Sequence, residues 1–176
     1  MNSCQSNIFV KHLIKSILAL LLLGGCATGA IYPITPITVR LSNYNTMLVK
    51  VSPEFPYATQ EAIQLESMII TKLTKEMLFK NIIAGSSSNT SAELHLSVKV
   101  IRVKKVSRSE RLVLGAMIGR AGIFVDVELT DLKTGRKIGA FTATGKSSGG
   151  TIFAGTTKQA VEYAAKKIVE FVQLNI

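Results

Sequence analysis

Few side chains in this sequence are equipped to make or break bonds, and each sits in a different pattern. Beyond the first 25 residues there is one cysteine, Cys26, and one histidine, His95. Cys26 follows Leu23-Gly24-Gly25, so its thiol stands at the end of an apolar run with small residues just before it. The other cysteine, Cys4, lies in the leading segment, so the remaining chain has no disulfide, and a zinc or redox centre would need carboxylates alone. No metal and no cofactor is expected. Asp126 and Glu128 stand two apart in a strand pattern, which sets their Cα atoms about 6.6–6.8 Å apart, near the carboxyl separations of glycoside hydrolases. The same spacing arises on any wetted sheet face, and that reading is the stronger one. His95 alternates outward with Glu93 and Ser97, as a solvated strand histidine does, and no Gly-x-Ser-x-Gly elbow offers it a serine. Gly145-Lys146-Ser147 ends like a phosphate-binding loop, but position 140, where that loop needs a glycine, is alanine. It reads as a flexible connector, and no catalytic residue is assigned.

The opening segment has the three parts of an export signal in order. A short basic region with Lys11 and Lys15 precedes an apolar run, and small residues lead up to Cys26. The run from Ile17 to Leu23 is far shorter than the about 20 residues a spanning helix needs. Leu23-Gly24-Gly25-Cys26 resembles the lipobox of bacterial lipoproteins, which implies cleavage between Gly25 and Cys26 and fatty acylation of the Cys26 thiol. Two or three acyl chains make such an anchor effectively permanent, where one would be marginal. In lipoproteins of the enterobacterial kind an Asp after the modified cysteine favours retention in the inner membrane. Ala27 stands there, so the resemblance implies an outer-membrane protein facing the periplasm, with inner-membrane retention the lesser alternative.

Removing residues 1–25 leaves 151 residues with 19 basic and 11 acidic side chains. That length fits one domain with a real core. The basic surface, in the periplasm, is suited to anionic lipid, cell wall or an acidic protein. Nucleic acid is not an expected partner, since tryptophan is absent and aromatic residues are not interleaved with basic ones.

Periodicity supplies the elements. Residues 26–45, with Pro33 and Pro36, read as an extended tether behind the anchor, although Ile31, Ile34, Ile37 and Val39 also permit an edge strand. Met47 to Val51 is a short strand. Ala58 to Lys80 carries Ala62, Leu65, Ile69, Leu73 and Met77 at helical spacing. Ile82 to Ala84 is a candidate strand, and Glu93 to Val100 alternates strictly before shifting register at Ile101, where a bulge is expected. Ile123 to Thr144 reads as a hairpin about Asp131-Leu132-Lys133-Thr134-Gly135. After a loose glycine-bearing connection, Thr156 to Gln159 matches a capping box, and a second helix buries Val161, Ala164, Ala165, Ile168 and Val172. The expected architecture is therefore α+β: a two-layer sandwich, residues 46–176, with a mostly antiparallel sheet of about four to five strands and two amphipathic helices on one face. The uncovered face should carry His95, Lys99, Asp126 and Glu128.

Arg111, the glycine-spaced Leu114 to Gly122, then Val125 to Asp131 and Thr134-Gly135-Arg136-Lys137 resemble a family of small bacterial lipoproteins known as domain of unknown function 4410. The likeness runs from about Val49 to Val172, and the family has no established catalytic motif to carry over. Similar arrangements occur in lipoproteins that build outer-membrane secretion complexes or activate cell-wall synthases. Residues 99–122 hold seven basic side chains against Glu110, next to the apolar run Leu112 to Ile118. Arg108, Arg111, Leu112, Leu114, Met117, Ile118 and Arg120 are thus the candidate interaction loop, for a membrane surface or a partner subunit. Equally, the loop would fold back over the core. The function expected is non-enzymatic: a lipid-anchored binding or scaffold component of an envelope assembly, as an accessory subunit of an outer-membrane secretion complex. A regulator of cell-wall synthesis is the alternative, and a cell-wall hydrolase the weak one.

Overall fold

The computed structural model describes residues 26–85, 91–106, 119–149 and 155–176. In chain order the elements are β1 (Thr28–Thr35), β2 (Thr46–Pro53), α1 (Thr59–Lys75), β3 (Asn81–Ala84), β4 (Leu94–Lys104), β5 (Gly122–Asp131), β6 (Lys137–Lys146) and α2 (Thr157–Gln173). The strands form one sheet in the order β1-β6-β5-β4-β2-β3. Alternation decides the two faces. Leu94, Leu96, Val98 and Val100 of β4, with Ile123, Val125, Val127 and Leu129 of β5, are buried beneath the helices. The expected bulge is present as a break in the β4–β5 register between Val100 and Arg102. The expected hairpin closes at Asp131, whose carboxylate accepts the amides of Lys133 at 2.8 Å and Thr134 at 3.2 Å, while Gly135 takes φ +69.

The α+β class with two helices on one face holds, but the sheet has six strands rather than four to five. Three antiparallel pairings are joined by two parallel ones, β2 with β3 and β2 with β4. A helical crossover brings the chain back in its original direction, so α1 between β2 and β3 makes that pair parallel. The additional strand is β1. Of the two readings open for residues 26–45, the edge strand replaces the tether: Thr28 to Thr35 pairs antiparallel with β6, and Leu41 is fully buried. The folded unit therefore starts at Thr28, not at residue 46, and Pro33 is tolerated because β1 is an edge.

Helix α1 buries Ala62, Leu65, Ile69 and Leu73 as the spacing requires, but it stops at Lys75 instead of Lys80. Met77 turns into the left-handed region at φ 49 and is exposed, which frees the chain to bury Phe79 and enter β3. Helix α2 buries Ala160, Val161, Ala164, Ala165, Ile168, Val169 and Val172. It lies unusually near the sheet because Gly29 and Gly145 face each other in the β1–β6 register beneath it. A Cβ on Gly145 would fall 1.9 Å from the Ala160 carbonyl oxygen, and one on Gly29 would fall 3.1 Å from that of Tyr163. Gly145 is thus a packing position inside a strand, not part of a loose connector. Thr156 caps α2 by position but makes no side-chain capping bond. The capping box fails because Gln159 turns to the β6 exit, where its Oε1 accepts from the Ser148 amide at 2.9 Å and the Ser148 hydroxyl at 3.2 Å.

Candidate functional site

Cys26 is exposed and lies two residues ahead of β1, so the first pairing of that strand places it. Thr28 pairs with Lys146, Lys146 with Gly122, and Gly122 with Lys104. Four strands therefore end in one row beside the cysteine, with two lysines on it. The exits from this row are pinned by polar bonds. The Ala121 amide donates to Ser147 Oγ at 3.1 Å and the Ser147 amide to the Ala121 carbonyl at 2.9 Å. The Gly155 amide donates to Ser148 Oγ at 2.7 Å, and the Val106 amide to Thr157 Oγ1 at 3.3 Å.

Of the candidate interaction loop, Arg108, Arg111, Leu112, Leu114, Met117 and Ile118 lie outside the described residues. Arg120 is described and half-buried, its Nε beside Gly149, where a Cβ would come within 2.7 Å of it. Lys104 reaches toward Gly119, while Lys105 binds Glu61 at 3.0 Å and donates to the Tyr57 carbonyl at 2.7 Å. Glu61 is almost fully buried in the first turn of α1, and its Oε2 has no hydrogen-bond partner among the described residues. Beside it Phe55 and Tyr57 stack at 5.7 Å with planes 7° apart, both about half exposed.

The open face carries the four polar residues expected of it. Asp126 accepts a hydrogen bond from Thr142 at 2.8 Å, and Glu128 is ion-paired with Lys137. Both border an open groove of about 370 Å³ that also touches Ile34, Ser97, Lys99 and Ala140. They lie on the same strand side by side, each with a neighbouring partner, and not across a cleft from each other. His95 departs from expectation: its ring is half-buried, and Nε2 is enclosed without a partner among the described residues. Burial, aided by the Lys50 charge and opposed by Glu128, holds its pKa below the ordinary histidine value. Among the described residues no group of three His, Cys, Asp or Glu is placed to hold a metal ion, and no helix is long and apolar enough to cross a membrane.

Cys26 and the basic stretch stand out in the sequence, whereas Lys146 as a neighbour of Cys26, and Phe55 and Tyr57 at the same end, do not. The only signal for Lys146 was its place at the end of a strand pattern, which means nothing until β6 is paired with both β1 and β5.

A model of the family described as "Domain of unknown function (DUF4410)" matches residues 52–151. Among curated proteins none matches the sequence. Among solved structures the chain is similar to the PelC dodecamer from Paraburkholderia phytofirmans, at 18% identity over 83% of this chain and 98% of that one, with a TM-score of 0.54. It is also similar to protein XCC0632 from Xanthomonas campestris, family model DUF330, at 12% identity over 81% and 94% of the chains, with a TM-score of 0.52. At these identities the likeness is one of fold.

Proposed function

The chain belongs to the DUF4410 family, and from that premise we propose that it is a non-enzymatic lipoprotein, anchored at the outer membrane through Cys26, that serves as a binding or scaffold subunit of an envelope assembly. The observation that carries this reading is the position of Cys26. It follows an export-signal pattern and the Leu23-Gly24-Gly25 sequence, and it is exposed just outside the first strand, where acylation disturbs no packed residue. The remaining chemistry supports binding over catalysis, since Asp126 and Glu128 are each held by a neighbour. A protein of like fold has been solved as a dodecamer, which supports a place in a larger assembly, such as an accessory subunit of a secretion complex.

Intact-mass analysis of the protein extracted from membranes tests the anchor. The expected species begins at Cys26 and carries diacylglycerol with or without an amide-linked acyl chain. A free Cys26 thiol, or a product retaining residues 1–25, sinks the reading. In-cell crosslinking of the tagged protein with identification of its neighbours then tests the assembly role. Recovery of the protein with murein in place of envelope subunits favours the cell-wall regulator.

A further inference from the structure

The basic residues around Cys26 are arranged at a cost to the fold. Lys104 and Lys146 end strands separated only by β5, with Gly122 between them. Lys158 sits exposed in the first turn of α2, where the helix dipole opposes a cation. Two carboxylates of this end, Glu54 and Glu61, are already taken by Lys99 at 3.2 Å and Lys105 at 3.0 Å. None of the ion pairs among the described residues involves Lys104, Arg120, Lys146 or Lys158. The exposed Phe55–Tyr57 stack lies at the same end, just after β2 and hydrogen-bonded to Lys105 through the Tyr57 carbonyl. Four strand spacings, about 19 Å, separate β1 from β2, so the cations and the aromatic pair mark out one end of the sheet. Cations alongside half-exposed aromatic rings are the side-chain mix that suits a lipid headgroup region.

We infer that this end of the sheet rests on the bilayer into which Cys26 is anchored, with Lys104, Lys146, Lys158 and Arg120 over the phosphates of anionic phospholipids and Phe55 and Tyr57 at the headgroup boundary. The inference rests on the reading of Cys26 as the acylated residue, and the absence of a tether is what gives it force. Two residues reach at most about 7 Å, less than the Debye length of about 8 Å at physiological salt. The sheet end is therefore held within electrostatic range of the surface, and the opposite end is turned toward the periplasm.

The test uses residues 26–176 with Cys26→Ser, which retain every strand and helix described, mixed with vesicles of phosphatidylcholine alone or with about one third phosphatidylglycerol. The protein is expected to sediment with the anionic vesicles only, and less so as salt rises. Each cation near such a surface strengthens adsorption roughly fivefold, so Lys104→Gln, Lys146→Gln and Lys158→Gln together should weaken it about a hundredfold. The charge-matched control, Lys75→Gln, Lys80→Gln and Arg136→Gln, should change it little. Phe55→Ser with Tyr57→Ser should weaken it about tenfold while leaving the salt dependence intact. Absence of adsorption to anionic vesicles at low salt, or equal losses in both lysine and arginine sets, overturns the inference. Either result leaves the mass of acylated Cys26 untouched, so the anchor and the surface contact fail separately.

Discussion

At the end of the sheet beside Cys26, Lys104, Lys146 and Lys158 are without a carboxylate partner among the described residues. At the opposite end two lysines are neutralised in place. Lys133 is bonded to Glu93 at 2.8 Å, and Lys137 is ion-paired with Glu128. The Lys133 hydrogen bond, with the Asn45 amide, holds Glu93 below the usual carboxylate range. Burial pulls Asp131 upward, but the amides of Thr134 and Lys133 and the Tyr44 hydroxyl outweigh it and hold it low as well. Three lysines beside Cys26 thus stay open to something outside the fold, while Lys133 and Lys137 are neutralised within it. Total charge could not distinguish these uses, because a basic composition is blind to where the acids lie.

Glycines at the two ends should differ most. Gly145→Val near the cysteine should drive a side chain into the backbone of α2 and cost at least about 3 kcal/mol, read by thermal unfolding. Gly135→Ala at the far end has open space around it and pays only for φ +69, about 1–2 kcal/mol. Equal losses would mean that α2 does not lie as near to β6 as described.

Lys105→Met asks whether a lysine beside the cysteine also supports the fold. Its partner Glu61 is buried while Lys105 is about half exposed, so the loss should be about 1–2 kcal/mol, between the values for exposed and buried pairs. Adding Glu61→Gln should recover much of it, and no recovery would mean the lysine acts through the Tyr57 carbonyl instead.

The smallest effect belongs to pH. The folded pKa of His95 is depressed, so the unfolded chain takes the proton first. Its contribution is present above about pH 6.5 and lost as pH falls from there toward the folded value. Melting temperature should fall slightly between pH 7 and 5, and His95→Gln should flatten that limb. Glu93, Asp131 and Glu170 have lowered values, so their contribution is present above their ordinary values near 4 and is lost only in stronger acid. A wild-type limb unchanged by His95→Gln would place the proton elsewhere. His95 pairs with Thr130, at the end of the sheet away from Cys26, so vesicle adsorption should not follow the His95 limb.

Local patterns were legible where a residue's neighbours in sequence are also its neighbours in space. The β5–β6 hairpin, the bulge near Ile101 and the buried faces of both helices came from periodicity alone, because side-chain direction repeats every two or 3.6 residues. The end of α1 was misjudged because Met77 keeps the apolar spacing yet adopts a left-handed turn. The capping box at Thr156 was misjudged because Gln159 has a better partner in Ser148, eleven positions earlier.

The leading segment, the cysteine pattern, the apolar faces and the excess of basic residues are legible in the chain alone, since each is a property of a residue and its near neighbours. Long-range strand pairing made the segment after Cys26 a strand and not a tether, and put Lys104 and Lys146 at the same end of the sheet as its start. The first follows from β6 pairing with β1 across more than a hundred residues and the second from β5 pairing with both β6 and β4, and side-chain periodicity does not specify which strand pairs with which.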